Sequence, residues 1–194
     1  MQGNLSISGD VKIRKIGAQK APLSWRLQNA LRWGYMWGWF VNRLAKAFSK
    51  ATGVITITSD LALRKRLVDG TWIDYGIVSY RVITDAGVAF LVDDWDNNVT
   101  DLTTLNFHGV GTGGTAEAVG DTALVTESTT ALNPDSTRAT GTRSQPAANQ
   151  YRSTGTLTFD ASAAITEHGL FSTSGTGTGT LWDRSLFSVV NMAS

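Results

Sequence analysis

The chain has 194 residues, a 42% hydrophobic fraction and a mean hydropathy of −0.07, which excludes an intrinsically disordered chain and fits one globular core with room for an extra arm. It contains no cysteine, which excludes a disulfide framework, a thiolate metal site and a cysteine nucleophile. The net charge of +1 conceals a split: residues 1–66 hold twelve Lys/Arg against two Asp, a net of +10, while the remaining 128 residues total −9. Such ends either meet different partners or neutralise one another in a homo-oligomer.

In chain order, residues 1–22 read as an extended arm, with Leu5, Ile7, Val11, Ile13 and Ile16 as apolar points and a proline at 22. The arm has no apolar stretch of the kind a secretory signal needs. It is too short to form a core alone and is expected to add a strand to a neighbour. Residues 23–50 predict one helix, N-capped at Ser24, with Leu27, Leu31, Trp37 or Gly38, Val41, Leu44 and Phe48 at helical spacing. Trp25, Trp33, Met36, Trp39 and Phe40 make its middle apolar nearly all round, so it wants cover on more than one side. The apolar run from Trp33 to Phe48 is broken by Arg43 and Lys46 and is short for a membrane span. Lys46 and Lys50 suit the negative end of the helix dipole.

From Gly53 the pattern turns to β. Strands are expected at Val54–Thr58, Trp72–Ile83, Val88–Val92 after an Asp85-Ala86-Gly87 hairpin, Leu102–His108, Gln150–Phe159, Glu167–Ser172 and Thr180–Val190. Residues 128–149 hold few large apolar side chains and read as a long exposed loop or an edge ordered by a partner. Residues 172–179 read as a hairpin tip. The fold expected is mainly β, a sandwich or jelly-roll-like body behind an extended arm and one Trp-rich helix. The division is 1–52 for the arm and helix and 53–194 for the body.

Chemistry-bearing motifs are sparse. Gly109–Gly114 satisfies G-x-G-x-x-G, but no helical pattern follows, so a glycine-rich loop between strands is preferred to a dinucleotide site. Asp94, Asp96 and Asn98 fall at positions 1, 3 and 5 of a calcium loop; the sixth residue is Val99 and the twelfth Leu105, so an acidic turn is preferred. His108 and His168 lack zinc-ligand spacing, and no Gly-x-Ser-x-Gly elbow occurs. The expectation is no catalysis, no metal and no cofactor. Four Trp within fifteen residues (25, 33, 37 and 39) favour an intermolecular contact over a private core or a membrane-surface helix.

The segment Gly109–Glu127 (GVGTGGTAEAVGDTALVTE), with Ala164–Phe171 (AITEHGLF) and Leu181–Val190 (LWDRSLFSVV), resembles a group of tailed-phage virion proteins. These share a GxGTGxTxxxxxDTxLxxE, ITExGLF, LxxRxxFS order, and the likeness covers roughly residues 105–192. The resemblance implies a virion structural protein, either capsid decoration (cement) or tail-associated. It would reside on the capsid exterior after assembly in the host cytoplasm. As a decoration protein it is expected to be a homotrimer clamping major capsid subunits, with no small-molecule substrate and no membrane. Trp25, Arg32, Trp33, Trp37, Trp39 and Arg43 are the candidate contact residues. Asp121, Thr122, Leu124, Glu127, Glu167, Phe171 and Arg184 are the structural motif, with Asp121 and Thr122 closing a turn and Glu167–Arg184 an ion pair between late strands. The alternatives are a tail or fibre component with a receptor- or glycan-binding β body, and a DNA-contacting protein using the basic segment.

Overall fold

A computed structural model describes residues 3–8, 18–97 and 101–192. Ten strands form one curled sheet: β1 (Gly3–Ser8), β2 (Gln19–Lys20), β3 (Ser59–Arg66), β4 (Trp72–Ile83), β5 (Phe107–Gly111), β6 (Ala139–Thr140), β7 (Thr142–Ala147), β8 (Gln150–Phe159), β9 (Ala163–Phe171) and β10 (Leu181–Met192). Among the described residues three helices accompany them, α1 (Leu23–Ala30), α2 (Trp33–Thr52) and α3 (Asp85–Asn97), with a 3-10 turn at Leu102–Thr104. The strand order is β6-β5-β9-β10-β4-β3-β1-β8-β7, with the short β2 beside β4 in a parallel pairing. The fold is therefore mainly β, as the alternation after residue 53 predicts.

The two ends of that order meet. β6 pairs with β5 and β7 pairs with β8, and only Gly141 separates β6 from β7. One stretch of chain thus belongs to both edges, so the sheet curls back on itself. Gly141 is needed for the closeness: an added Cβ would stand 2.0 Å from Ser153 Oγ and 2.7 Å from His108 Nε2. Its N–H donates to Asn106 O at 2.7 Å. Inside the curl, Leu61, Leu63, Val78, Val110, Leu157, Phe159, Ile165, Phe187, Val190 and Met192 form one buried cluster. At alternate strand positions this is the core that the period-2 pattern dictates. Leu124, Phe171 and Leu181 form a second, smaller one.

Several expectations are corrected. The single helix over 23–50 is two, broken at Leu31–Arg32 where Arg32 is extended (ψ 133°); Pro22, not Ser24, occupies the cap position, and no side chain caps it. α2 ends where Gly53 takes up the left-handed conformation (φ 74°) and donates to Ser49 O. Asp85-Ala86-Gly87 is the first turn of α3 rather than a hairpin. Thr84 Oγ1 accepts from Gly87 N at 2.9 Å, satisfying a helix-start donor, and Gly87 lies too close to the Trp182 backbone for any side chain. Val54–Thr58 forms no strand; the strand begins at Ser59, in a segment whose charged Arg64, Lys65 and Arg66 disguise it. The strand expected at Leu102–His108 starts at Phe107, after the 3-10 turn. The calcium-loop residues Asp94 and Asp96 lie on α3, and Asn98 falls outside the described residues. Residues 128–149 are not one long loop: they contain β6 and β7, the buried Leu132 and Arg138, and a cis Asn133–Pro134 bond. The segment Gly109–Gly114 runs from β5 into a loop, with no helix after it to receive a phosphate. Of the arm, β1 pairs within its own chain, between β3 and β8; Val11, Ile13 and Ile16 lie outside the described residues.

Candidate assembly surface and the polar core behind it

α1 is held to the sheet by polar anchors. Trp25 Nε1 donates to Val189 O at 2.7 Å and its ring meets Tyr75 edge-on at 4.7 Å. Asn29, fully buried, donates to Val78 O and accepts from Ser188 N, both at 2.8 Å. Trp25 is thus committed to the chain's own packing. The opposite side of α1 presents Leu23, Leu27 and Leu31, all more than half exposed.

α2 carries the same inversion further. The residues turned toward the sheet are Tyr35, Gly38, Asn42, Ala45 and Ser49, spaced three or four apart, and all are small or polar except Tyr35. Gly38 lets the helix sit directly on β4, since a Cβ there would lie 2.8 Å from the Tyr80 Cβ. Tyr35 packs edge-on against Tyr80 at 5.2 Å, and Asn42 donates to Ser59 O. The large apolar side chains point away: Trp33 (77% exposed), Met36, Trp37, Trp39, Phe40, Val41, Leu44 and Phe48. No residue of α2 is buried. Trp33 and Trp37 stack with ring planes 6° apart, and the Arg43 guanidinium lies 4.5 Å over the Trp39 ring. Arg32, partly buried, has its pKa lowered by desolvation, partly offset by Glu117. Of the candidate contact residues, α2 therefore groups Trp33, Trp37, Trp39 and Arg43 on solvent-facing surface, while Trp25 belongs to the packing behind it. Among the described residues, no helix is long and apolar enough to cross a membrane.

Behind this surface lies a polar interior, of which the sequence announces only the Glu167–Arg184 pair and the Asp121 turn. Glu167, fully buried on β9, accepts from Gly113 N (3.0 Å), Thr126 N (2.8 Å) and Val125 N (3.1 Å), and from Arg184 Nε (3.0 Å) and Nη2 (2.8 Å). Arg184, also fully buried, further donates to Asp121 Oδ2, Ala116 O and Thr115 O. Asp121 in turn accepts from Ala118 N at 2.9 Å, closing the turn, while Thr122 is exposed. Glu127 forks onto Arg138 at 2.6 and 3.0 Å, and the Arg138 guanidinium stacks 3.4 Å over Phe171. The motif side chains thus staple the 112–127 loop and the hairpin tip to β9 and β10. Only Leu124 and Phe171 of that set act by apolar burial.

A second polar group sits on the opposite face of β9 and β10, since His168 and Asp183 alternate with Glu167 and Arg184 along the strands. Arg81 and Asp183 pair at 2.8 Å, with Ser59 donating to the same carboxylate. His108 Nδ1 and His168 Nε2 are 3.1 Å apart and His108 Nε2 is 2.8 Å from Ser153 Oγ. Desolvation first, then the Arg81 charge, lowers His108 to about 3; the same causes with His108 itself hold His168 well below its ordinary value. Ser153 with His108 has the distance of a nucleophile–base pair. A base held near 3 takes up protons poorly at neutral pH, and both side chains are buried. The contacts tie β5, β8 and β9 together through hydrogen bonds. Over them opens a cleft of about 740 Å³, walled by Lys46, Lys50, Ile57, Tyr151, Arg152 and Trp182. Among the described residues no cluster of three or more His, Cys, Asp or Glu could hold a metal ion.

No protein-family model matches the chain, and neither a characterised protein nor a solved structure shows significant similarity to it.

Proposed function

We propose that the protein is a non-enzymatic structural subunit of a tailed-phage particle, a capsid decoration protein that clamps major capsid subunits through the outward face of α1 and α2. The observation that carries this reading is the inversion of α2, which turns small and polar residues to its own sheet and eight large apolar side chains to solvent. A surface of that kind is covered in the working assembly. Residues 23–52 carry five basic side chains and no acidic one, so the matching surface is an apolar groove rimmed by carboxylates. An added interface of about 1,000 Å², some 60% apolar, has a gross burial term of roughly 15 kcal/mol before association costs. Repeated over a shell, such a term resists internal pressure. The virion assignment itself rests on the sequence resemblance, and the structural use of Asp121, Glu127, Glu167 and Arg184 supports reading those motifs as architecture.

The test is co-sedimentation with preformed shells lacking the protein, together with the melting temperature of the shell. Binding that raises the melting temperature, and is lost on changing Trp37 and Trp39 to Ala, supports the cement role. Failure to bind shells while binding purified tails moves the protein to the tail. Loss of binding to bare DNA with rising salt, in place of either, favours the DNA-contacting reading.

A further inference from the structure

The cleft over the sheet adjoins a second hollow, and the two form one groove. The cleft holds about 740 Å³ and the hollow about 850 Å³, and Asn149, Gln150 and Tyr151 belong to the walls of both. Each falls in the range of roughly 300–1,000 Å³ that holds a small ligand, so the two together suit a chain of several linked units. Lys46 and Lys50 of α2, Arg81 of β4 and Arg152 of β8 line the cleft against Asp60 and Asp183, a net of +2. The hollow adds Arg143 and, among the described residues, no acidic side chain. A concave surface with that excess draws in anions.

The cations are placed for a ligand. Lys46 and Lys50 stand one turn apart on a helix with no acidic residue, and like charges at that spacing repel, so the pair costs α2 stability unless an anion lies beside it. Arg81 uses only Nη1 on the two Asp183 oxygens, at 2.9 and 2.8 Å. Its Nε has no hydrogen-bond partner among the described residues, so a guanidinium that lines the cleft keeps unused donors. Tyr151 is 55% exposed, yet its hydroxyl donates to Leu105 O at 2.8 Å. The ring is thereby a fixed plate where cleft and hollow meet. Between the charges the walls carry hydroxyls and amides: Thr56 and Thr58 in the cleft, Ser144 and Gln145 in the hollow, Asn149 and Gln150 at the junction. We propose that this groove binds an acidic oligosaccharide, a chain of sugar rings bearing carboxylates. The Lys and Arg side chains meet the carboxylates, the hydroxyl and amide side chains meet the ring hydroxyls, and the Tyr151 plate takes the apolar face of one ring. A single-stranded nucleic acid is also anionic, but it stacks its bases on a run of aromatics, whereas hydroxyl- and amide-bearing side chains outnumber Tyr151 and Trp182 along these walls. Trp33, Trp37, Trp39 and Phe48 line neither concavity, so the groove is distinct from the outward face of α2.

The test is calorimetric titration of the full chain with three carboxylated sugars (tetragalacturonate, a hyaluronate tetrasaccharide and sialyllactose), with neutral maltotetraose and with oligo-dT. At least one of the three acidic sugars is expected to bind with a Kd below about 1 mM, more weakly as salt rises, and maltotetraose at least about tenfold more weakly. Changing Lys46→Ala with Lys50→Ala should weaken that binding about tenfold and leave the urea midpoint unchanged. Tyr151→Ala should weaken it by about threefold to tenfold, and Tyr151→Phe, which keeps the ring, by less. Failure of all three acidic sugars to bind overturns the inference, as does equal binding of maltotetraose or indifference to the Lys46 and Lys50 changes. Tighter binding of oligo-dT than of any acidic sugar also overturns it and assigns the groove to nucleic acid.

Discussion

Replacing Glu167 by Gln keeps the shape of a fully buried side chain and removes its charge. Two losses follow from the geometry. Arg184, with no exposed side-chain surface, keeps only the partly exposed Asp121 as counter-charge. In addition, five donors converge on the two Glu167 oxygens, and an amide presents one oxygen and an NH2 group, so one set of donors faces another. Breaking a buried pair from one side costs about 3–5 kcal/mol, with roughly 1–3 kcal/mol for each buried donor left unmet. Urea denaturation followed by tryptophan fluorescence should therefore show Glu167→Gln less stable by about 4 kcal/mol. Arg184→Met should lose a comparable amount, and the double variant much less than the sum, because the second change removes a charge already stranded. A loss under about 1 kcal/mol in Glu167→Gln would show that the network is solvated and refute the stapling of the 112–127 loop.

Gly141→Ala should open the junction between β6 and β7, since its methyl would meet Ser153 Oγ and His108 Nε2; hydrogen exchange should rise in β5 and β8 ahead of β3 and β4. Gly38→Val should lift α2 from Tyr80 and change tryptophan emission while leaving the urea midpoint of the β body nearly unchanged. His108 and His168 are neutral in the folded state to well below their unfolded pKa near 6.5. The unfolded chain thus binds more protons below that value, and each histidine should withdraw about 1.4 kcal/mol of stability per pH unit as pH falls from 6.5 toward 4. Their contribution is fully present above pH 6.5, so melts from pH 8 to 4.5 test it; a His168→Gln variant with an unchanged acid limb would contradict it.

The parts of this fold legible in the sequence are those where a local pattern and the final environment agree. Gln150–Phe159 alternates and is a strand over those residues; Glu167–Ser172 and Thr180–Val190 lie within a few residues of β9 and β10. α3 was hidden because Val88-Ala89-Phe90-Leu91-Val92 is apolar at both periods, and its direction is decided by Thr84 and by the close approach of Gly87 to Trp182, a contact 95 residues away in sequence. The strand Ser59–Arg66 was hidden by its cationic end. The crowd of tryptophans is legible in the sequence, but only the placement of Gly38, Asn42, Ala45 and Ser49 shows which side of the helix faces the sheet. The ties of His108 to Ser153 and His168 join residues 45 and 60 positions apart, and nothing local in the sequence encodes them.

The position of β1 has a consequence for the order of events in synthesis. Gly3–Ser8 lies between Ser59–Arg66 and Gln150–Phe159, with Leu5 opposite both Lys65 and Leu157. β1 can find one neighbour early, but its other seam must wait until the chain has grown by roughly 140 residues beyond it, to Gln150–Phe159. Until then β3 and β1 form a ribbon with an unpaired rim, and the same rim is what a neighbouring nascent chain would meet on a polysome. Closing the seam across so long a stretch makes it a slow step, and the cationic run Arg64-Lys65-Arg66 beside it keeps like ribbons apart meanwhile. The charges that obscure this strand from a reader of the sequence are then the ones that guard it during growth.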